Sequence, residues 1–222
     1  MSNVNADIWN ALYESGNYLH YPSEVFVQLY FRSIGKGAKS GDFLDYGCGS
    51  GNNSEFLARQ GWLVTGADIS VRALQVQKQR LDALGMSNAQ IGIDGLAPIA
   101  GQLGHYGNII CWDCLCYNRL PKAKEDALAL VAALEPGGHL FINMPTPRHE
   151  FATTGLELED GSVQNRRSGT RQEGAIMAIP RDVDDLISWF PGLDAVQKGH
   201  FTFDFSGYKD FMFFVGRKPG GK

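Results

Sequence analysis

Residues 43–53, FLDYGCGSGNN, have the composition of a ligand-binding turn. Asp45 lies in a short apolar run, and three glycines follow it at alternate positions: Gly47, Gly49 and Gly51. Glycine leaves the backbone N–H groups uncovered and lets another group approach the main chain closely. We therefore expect a ligand to bind against this turn, with the Asp45 carboxylate as a nearby hydrogen-bond acceptor.

A second group of reactive side chains, the cysteines of CWDCLC, raises the question of a metal site. The three thiols are Cys111, Cys114 and Cys116. Zinc sites usually pair two such clusters or add spaced histidines. The chain has no second cluster, and its histidines are scattered at His20, His105, His139, His149 and His200. We expect no metal site, and we interpret the three cysteines as buried thiols in a reducing compartment.

Apolar runs that alternate with helical segments must position the glycine turn. The predicted strands are residues 42–46, 62–69, 89–94, 108–117 and 135–144. Helices are predicted between most of them, and Ser70 is the expected N-cap of the helix over 71–84. The apolar face of that helix is predicted from the spacing of Val71, Leu74, Leu81 and Leu84. This alternation is typical of an α/β sheet.

The C-terminal part of the chain contains two aromatic runs, residues 199–205 and 209–218, which predict an antiparallel hairpin with Gly207 in its turn.

Two other regions do not follow the alternating pattern. Residues 1–40 contain two amphipathic segments that we interpret as an N-terminal helical cap, and 41–222 form the main domain. Residues 145–179 are polar and long, which indicates either a lid-like insertion or a flexible loop.

The charge and composition of the chain limit the kinds of partner that it is expected to bind. The chain has 222 residues, a formal net charge of -4 and a pI near 5.7, so it has no general attraction to nucleic acid or anionic lipid. The first residues lack the features of a secretion signal, and no run of about 18 apolar residues indicates a membrane span. We expect a cytoplasmic protein with a small-molecule partner, no nucleic-acid or membrane partner, and an oligomeric state that the sequence leaves open.

The glycine turn is compatible with several ligands. A dinucleotide fingerprint requires glycine or alanine where this chain has Asn52, and a phosphate-binding Walker loop requires Gly-Lys followed by Ser or Thr. Instead, D-x-G-x-G-x-G from Asp45 to Gly51 resembles motif I of the class I S-adenosylmethionine-dependent methyltransferases. The resemblance continues with ADIS around Asp68 and with LEPGGHLFI from Leu134, and it covers about residues 42–145.

This resemblance implies a cofactor pocket for S-adenosylmethionine and its product S-adenosylhomocysteine. Asp68 would bind the ribose hydroxyls, Ile69 would lie against adenine, and Asp94 would lie near the adenine amino group. Asp94 and Asp113 also have a simpler interpretation as turn residues. The full set implied for cofactor binding is Asp45, Gly47, Cys48, Gly49, Gly51, Asp68, Ile69, Asp94, Gly95 and Asp113. The implied fold is a Rossmann-like, doubly wound, seven-stranded sheet with an antiparallel C-terminal hairpin strand.

The same resemblance implies methyl transfer to an oxygen or nitrogen of a small molecule. The stretch YPSEVFV is similar to bacterial members of unassigned substrate, which suggests a sugar or related metabolite as acceptor. His149 and Tyr117 are the candidate catalytic residues, with a solvated loop histidine as the alternative for His149 and a residue that merely closes the strand as the alternative for Tyr117. Two alternatives remain: a protein that binds the cofactor without turnover, and a nucleotide-dependent dehydrogenase.

Overall fold

The computed structural model describes residues 4–16, 18–35, 41–204 and 207–220. The helices are α1 (Val4–Glu14), α2 (Glu24–Ser33), α3 (Asn52–Arg59), α4 (Val71–Ala83), α5 (Leu120–Ala133), α6 (Glu150–Thr153) and α7 (Val183–Ser188). The strands are β1 (Asp42–Tyr46), β2 (Leu63–Asp68), β3 (Asn88–Gly92), β4 (Tyr106–Cys111), β5 (Leu134–Pro145), β6 (Leu156–Glu157), β7 (Val163–Gln164), β8 (Ile176–Met177), β9 (Asp194–Asp204) and β10 (Tyr208–Arg217).

Seven strands form the central sheet in the order β3-β2-β1-β4-β5-β10-β9. Strands β1 to β5 pair with one another in parallel, whereas β10 is antiparallel to both β5 and β9. The predicted α/β fold with a C-terminal antiparallel hairpin is confirmed. The chain proceeds outward from β1 to β3 and then returns to β4, so β1 and β4 flank the point where the strand order reverses. Ligands of open α/β sheets bind outside the carboxyl ends of the strands at such a point.

Alternate residues of the inner strands enter two hydrophobic cores, one on each face of the sheet. Phe43 packs on one face with Phe26 and Tyr30 of α2, while Leu44 packs on the other with Leu130 of α5. All five side chains are fully buried. Burial of each such side chain stabilises the fold by about 1.5–3 kcal/mol, so the two cores hold the strand ends in fixed positions.

Most predicted boundaries agree with the structure, and β4 is the main exception. Strand β1 covers the predicted residues, and Ser70 caps α4 by accepting a hydrogen bond from the Ala73 N–H at 3.1 Å. The fourth strand ends at Cys111 instead of continuing to Tyr117. It ends there because the chain turns at Asp113, whose φ of 52° lies in the left-handed region and cannot continue a strand.

The segment after β5 contains α6 and a small antiparallel sheet, β6-β7-β8. This sheet is tied to the turn after β4, since the Ala178 N–H donates to the Cys116 carbonyl at 2.7 Å. The first residues of the predicted cap, 1–3, as well as 17 and 36–40, lie outside the described residues. The division at residue 40 and the lid role of 145–179 remain predictions. Among the described residues, no helix combines the length and the apolar character needed to span a membrane.

Candidate functional site

The three glycines of the turn all adopt left-handed backbone conformations, with φ of 75°, 51° and 77° at Gly47, Gly49 and Gly51. The groups that approach them closely belong to the protein itself. A Cβ would collide with Cys114 if built at Gly47, with the Tyr13 hydroxyl at Gly49, and with Gln77 at Gly51. The close contacts recorded at these glycines are made by the protein's own side chains, and the predicted approach of a ligand to the turn stays a prediction.

Asp68 closes β2 and is fixed by the glycine turn. Its Oδ2 accepts the Gly49 N–H at 2.9 Å, and its Oδ1 accepts the Ser70 N–H at 2.8 Å. Burial raises the pKa of Asp68 to about 6, and these two hydrogen bonds act against that rise. A carboxylate has about four acceptor positions, so each oxygen retains one for a ligand hydroxyl.

A cavity opens at the carboxyl edge of the sheet beside Asp68. Five of the residues implied by the sequence line it: Gly47, Asp68, Ile69, Gly95 and Asp113. The candidate Tyr117 also lines it. The remaining lining residues are Trp9, Tyr13, Tyr46, Ala67, Ile93, Ile99, Cys114, Asn118 and Asp126. The structure thus brings residues from β1, β2, the turn after β4 and two helices to one place.

The cavity is acidic. Three carboxylates line it, those of Asp68, Asp113 and Asp126, and no lysine, arginine or histidine is among its described lining residues. Asp126 is neutralised by an ion pair with Lys122, and it also accepts a hydrogen bond from Tyr46 at 3.4 Å. The charges of Asp68 and Asp113 have no such partner in the lining. This arrangement favours a cationic ligand over a phosphate, which needs cationic or N–H donors.

Helix α1 covers the cavity with aromatic rings. Trp9 packs edge to face against Tyr117 with ring centroids 4.8 Å apart, and Tyr13 follows one turn later. Burial, with the Asp68 charge as a second cause, raises the pKa of Tyr13 above its usual range, so its phenol keeps its proton. The uncovered face of an aromatic ring attracts cations.

Two side chains of α1 hold this cover in place. The Asn5 amide donates to the Tyr117 carbonyl at 2.7 Å and to the Ile176 carbonyl at 3.0 Å, and its oxygen accepts the Ile176 N–H at 3.1 Å. The Asn10 amide oxygen accepts a hydrogen bond from the Ser70 hydroxyl at 2.6 Å. Asn5 therefore connects α1 to β8 and to the turn after β4, and Asn10 connects it to the start of α4.

Asp113 has an unusual conformation at the rim of the cavity. It is the one non-glycine residue with positive φ among the described ranges, a conformation that costs about 1–2 kcal/mol. Asn143 on β5 holds it at two points: Asn143 Oδ1 accepts the Asp113 N–H at 2.7 Å, and Asn143 Nδ2 donates to Asp113 Oδ1 at 2.6 Å. Strained residues of this kind cluster at functional sites.

Asp45 lies behind the glycine turn and does not line the cavity. The Ser54 hydroxyl donates to its Oδ2 at 2.6 Å, and Gln77 Nε2 donates to that hydroxyl at 2.9 Å. This buried chain of polar groups joins β1, α3 and α4. Asp45 therefore supports the turn from behind. Cys48, Gly49 and Gly51 belong to the same supporting turn and are likewise absent from the described lining.

Two other predicted residues are not among the residues that line the cavity. Asp94 is exposed, and its Oδ1 accepts the Leu96 N–H at 3.0 Å, which is the alternative turn role. His149 is buried, and its Nδ1 accepts the Phe151 N–H at 3.1 Å as the N-cap of α6. Burial lowers the pKa of His149 to about 4, so the ring is uncharged at neutral pH. The structure gives both residues local structural roles.

Several lining residues are not predicted from the sequence. Tyr46 and Ala67 directly precede the predicted site residues Gly47 and Asp68. That adjacency is the signal from which they could have been identified as lining residues. Ile99 and Asp126 come from a loop and from the middle of α5, where nothing in the local pattern distinguishes them from core residues. Trp9 enters the site from the cap, whose docking position depends on tertiary contacts.

Asp45 gives a testable pH dependence. Burial raises its folded-state pKa to about 7, against about 3.9 in an unfolded chain. The folded protein therefore holds a proton that the unfolded chain releases, and the free energy of unfolding should fall as pH rises from about 4 to 7. Asp45→Asn removes this contribution, so its stability relative to wild type should increase with pH by up to about 1.4 kcal/mol per unit.

Urea unfolding of both proteins at pH 5 and pH 7.5 measures this effect. Asp68 titrates in the same direction, but it is present in both proteins, so the difference between the two curves reports Asp45 and its coupling to Asp68. Parallel stability profiles for wild type and Asp45→Asn would show that the carboxyl group is not perturbed.

Comparisons with known proteins agree with this geometry. A family model described as a methyltransferase domain matches residues 18–194. A ubiquinone biosynthesis O-methyltransferase of Nitrosospira multiformis is 32% identical over 137 residues, which are 60% of this chain and 54% of that protein. A ribosomal RNA small subunit methyltransferase C of Alcanivorax borkumensis is 31% identical over 108 residues, 47% of this chain and 32% of that protein. The chain spans about half or less of the length of these curated relatives.

The fold is also found in solved structures. Magnesium protoporphyrin IX methyltransferase from Synechocystis PCC 6803, solved with bound S-adenosylhomocysteine, superimposes with a TM-score of 0.66 at 19% sequence identity. The match covers 97% of this chain and 98% of that chain. At this level of identity the similarity establishes a common fold.

Proposed function

The chain belongs to the class I S-adenosylmethionine-dependent methyltransferase family, and from that premise we propose that it transfers a methyl group to an oxygen or nitrogen of a small-molecule acceptor. The observation that carries the proposal is the acidic, aromatic-covered cavity at the strand-order reversal, with Asp68 fixed by the Gly49 and Ser70 N–H groups. It combines a hydroxyl-binding carboxylate with surroundings suited to a positive charge.

The residues present fit S-adenosylmethionine. Asp68 has free acceptor positions for two ribose hydroxyls, and Ile69, Ile93 and Ile99 provide apolar surface for a base. When bound, S-adenosylmethionine supplies a methyl group that the adjacent sulfonium charge already activates. The chain's own task is then to hold the acceptor in line with that methyl group and to exclude water, which is what a cover such as α1 provides.

The acceptor is proposed to enter beside α1 and the turn after β4. Trp9, Tyr117 and Asn118 line this side of the cavity and offer ring faces and one amide. A sugar or a related metabolite fits this chemistry, because sugars stack on aromatic rings and hydrogen-bond to amides. The name of the Nitrosospira relative, a methyltransferase acting on oxygen, supports oxygen as the acceptor atom.

Two other functions are less consistent with the site. The Alcanivorax relative is named for ribosomal RNA, but a net charge of -4 and an acidic cavity disfavour an RNA acceptor here. A dehydrogenase would need a pyrophosphate against the glycine turn, and the acidic lining disfavours phosphate binding.

Calorimetric titration with S-adenosylhomocysteine and with NAD tests the ligand, and radiolabelled methyl transfer to a panel of sugars, phenols and amines tests the reaction. We expect micromolar binding of S-adenosylhomocysteine, no heat with NAD, and label transferred to at least one acceptor. Binding without transfer to any acceptor would favour the alternative of a cofactor-binding protein without turnover. Absence of S-adenosylhomocysteine binding would overturn the proposal.

A further inference from the structure

Four aromatic side chains form a row that begins beside the cavity. The first is Trp112, which directly precedes the cavity residue Asp113. The Trp112 ring stacks on Phe201 with centroids 6.1 Å apart, and Phe201 stacks on Phe211 at 5.2 Å. Phe211 then packs against the His149 ring at 5.0 Å. Trp112 and His149 are buried, whereas Phe201 and Phe211 are partly exposed, so this aromatic row offers ring surface to a ligand in its middle.

Lys209 lies on the same face of the sheet as the partly exposed rings. In the antiparallel pair of β9 and β10, Phe211 is opposite Phe201, and Lys209 is opposite Phe203. Side chains two residues apart on a strand point to the same face, so Lys209 shares the face of Phe211. The Phe203 side chain is 38% exposed. Since residues directly opposite each other have neighbouring side chains, the Lys209 ammonium and an accessible ring lie at the end of the row.

The charge of Lys209 acts on groups at both ends of the aromatic row. It favours the ionised form of Asp113 at the rim of the cavity. It also disfavours protonation of His149, whose ring is uncharged at neutral pH. Lys209 is therefore close to the row along its length, and close to the side of the cavity at which the turn after β4 begins.

No carboxylate pairs with Lys209 among the residues that the structure describes, since none lies within 4.0 Å of its ammonium nitrogen. The next residue, Asp210, is fully buried and already paired: its Oδ2 accepts a hydrogen bond from Arg148 Nε at 2.7 Å. The Lys209 side chain is partly exposed. Its three N–H donors can therefore bind an anion.

We propose that the methyl acceptor carries an anionic group, a carboxylate or a phosphate, which binds the Lys209 ammonium while the rest of the acceptor lies on the aromatic row. The inference rests on the proposed function and narrows the acceptor to one class, the sugar acids, sugar phosphates and aromatic acids. The same charges determine its orientation. The acidic cavity repels the anionic group and Lys209 attracts it, so the neutral oxygen or nitrogen of the acceptor faces the cavity.

Pairs of compounds that differ in one charge test this inference. Glucose is compared with glucuronate and with glucose 6-phosphate, and catechol is compared with protocatechuate, its carboxylated form. Calorimetry measures the binding of each compound to protein saturated with S-adenosylhomocysteine, and radiolabelled methyl transfer gives kcat and KM where a compound is methylated. We expect at least one charged compound to bind about 10-fold or more tightly than its uncharged parent, the effect of one hydrogen bond between charged groups.

Lys209→Gln removes the charge and keeps the length of the side chain. We expect this variant to lose the preference for the charged compound mainly through a higher KM, because Lys209 would bind the acceptor away from the reacting atoms. Lys209→Arg keeps the charge and should keep the preference. Lys198→Gln is the matched control: Lys198 is also on β9–β10, but its Nζ is already paired with Asp184 at 2.7 Å. It should leave the preference unchanged.

Three results would overturn the inference and leave Lys209 as a solvated surface lysine. They are equal affinity for the charged and uncharged members of every pair, no binding by any charged compound, and a preference that survives in Lys209→Gln. Failure of the proposed function is a different result. In that case wild type would not bind S-adenosylhomocysteine, which is titrated before any acceptor is added.

Discussion

Gly49→Val should abolish measurable binding of S-adenosylhomocysteine, a loss of at least about 100-fold. The backbone at Gly49 has φ of 51°, which a β-branched residue adopts only with strain. The new side chain would also collide with the Tyr13 hydroxyl and displace the aromatic cover. Since the Gly49 N–H is one of the two donors that fix Asp68, any shift of this backbone also releases the carboxylate that we propose binds the ribose.

Gly85→Val is the matched control for backbone strain. Gly85 has φ of 65°, and a Cβ built there meets no atom within 4 Å. We expect this variant to lose about 1–2 kcal/mol of stability and to bind S-adenosylhomocysteine as wild type does. The affinities of the two folded variants for S-adenosylhomocysteine are compared by calorimetric titration. Wild-type affinity in Gly49→Val would show that the turn is not part of the binding site.

The steric part of this effect can be separated from strain. Gly49→Ala in a Tyr13→Phe background removes the oxygen that the new methyl group would meet, although the ring carbon behind it remains at 3.3 Å. The double variant should recover part of the affinity that Gly49→Ala loses in the wild-type background. Strictly additive losses would show that Tyr13 and Gly49 are not coupled.

The fold could be predicted from the sequence where local signals and tertiary structure agree. Strand β1 was predicted residue for residue because its apolar run ends at the glycine turn. Strand β4 was predicted too long because CWDCLCY is as apolar as a strand, and nothing in its composition shows that Asp113 takes a left-handed turn. A hydrophobic pattern indicates that a segment is buried, but it does not show that the segment is a strand. The turn after β4 is largely buried and is not a strand.

In helix α4, too, the hydrophobic pattern does not identify all of the buried residues correctly. The spacing of apolar residues selected Val71 and Leu84 for the buried face, but they are 64% and 40% exposed. Gln77 is fully buried instead, because its amide donates to Ser54 in the polar chain that supports Asp45. A polar residue with a specific tertiary partner cannot be recognised from periodicity alone.

Lining residues of the candidate site could be predicted where a short sequence motif contains them. Gly47, Asp68 and Ile69 lie where the motif resemblance implied, at the ends of neighbouring strands. His149 was assigned from its position after β5, and the structure buries it as the N-cap of α6 because its ring packs between Phe151 and Phe211. Trp9 and Asn143 could not be predicted, since each acts through contacts with segments distant in sequence.

Asp68→Asn should lower the affinity for S-adenosylhomocysteine by about 10- to 100-fold and destabilise the protein by about 1–3 kcal/mol. The wild-type carboxylate accepts one backbone N–H on each oxygen. An amide has one acceptor oxygen, so its NH₂ group must face either the Gly49 or the Ser70 N–H, and two donors repel each other. The turn then shifts, and one ribose hydroxyl loses its acceptor.

A ligand change separates the ribose contact from general damage to the turn. Wild type should bind S-adenosylhomocysteine more tightly than its 2′-deoxy analogue, whereas Asp68→Asn should discriminate between the two much less. Asp194→Asn serves as the control, because Asp194 is exposed at the start of β9, outside the cavity lining, and its substitution should alter neither affinity. Equal discrimination by wild type and Asp68→Asn would mean that this carboxylate holds the turn without touching the ribose, and the placement of the cofactor in the cavity would have to be revised.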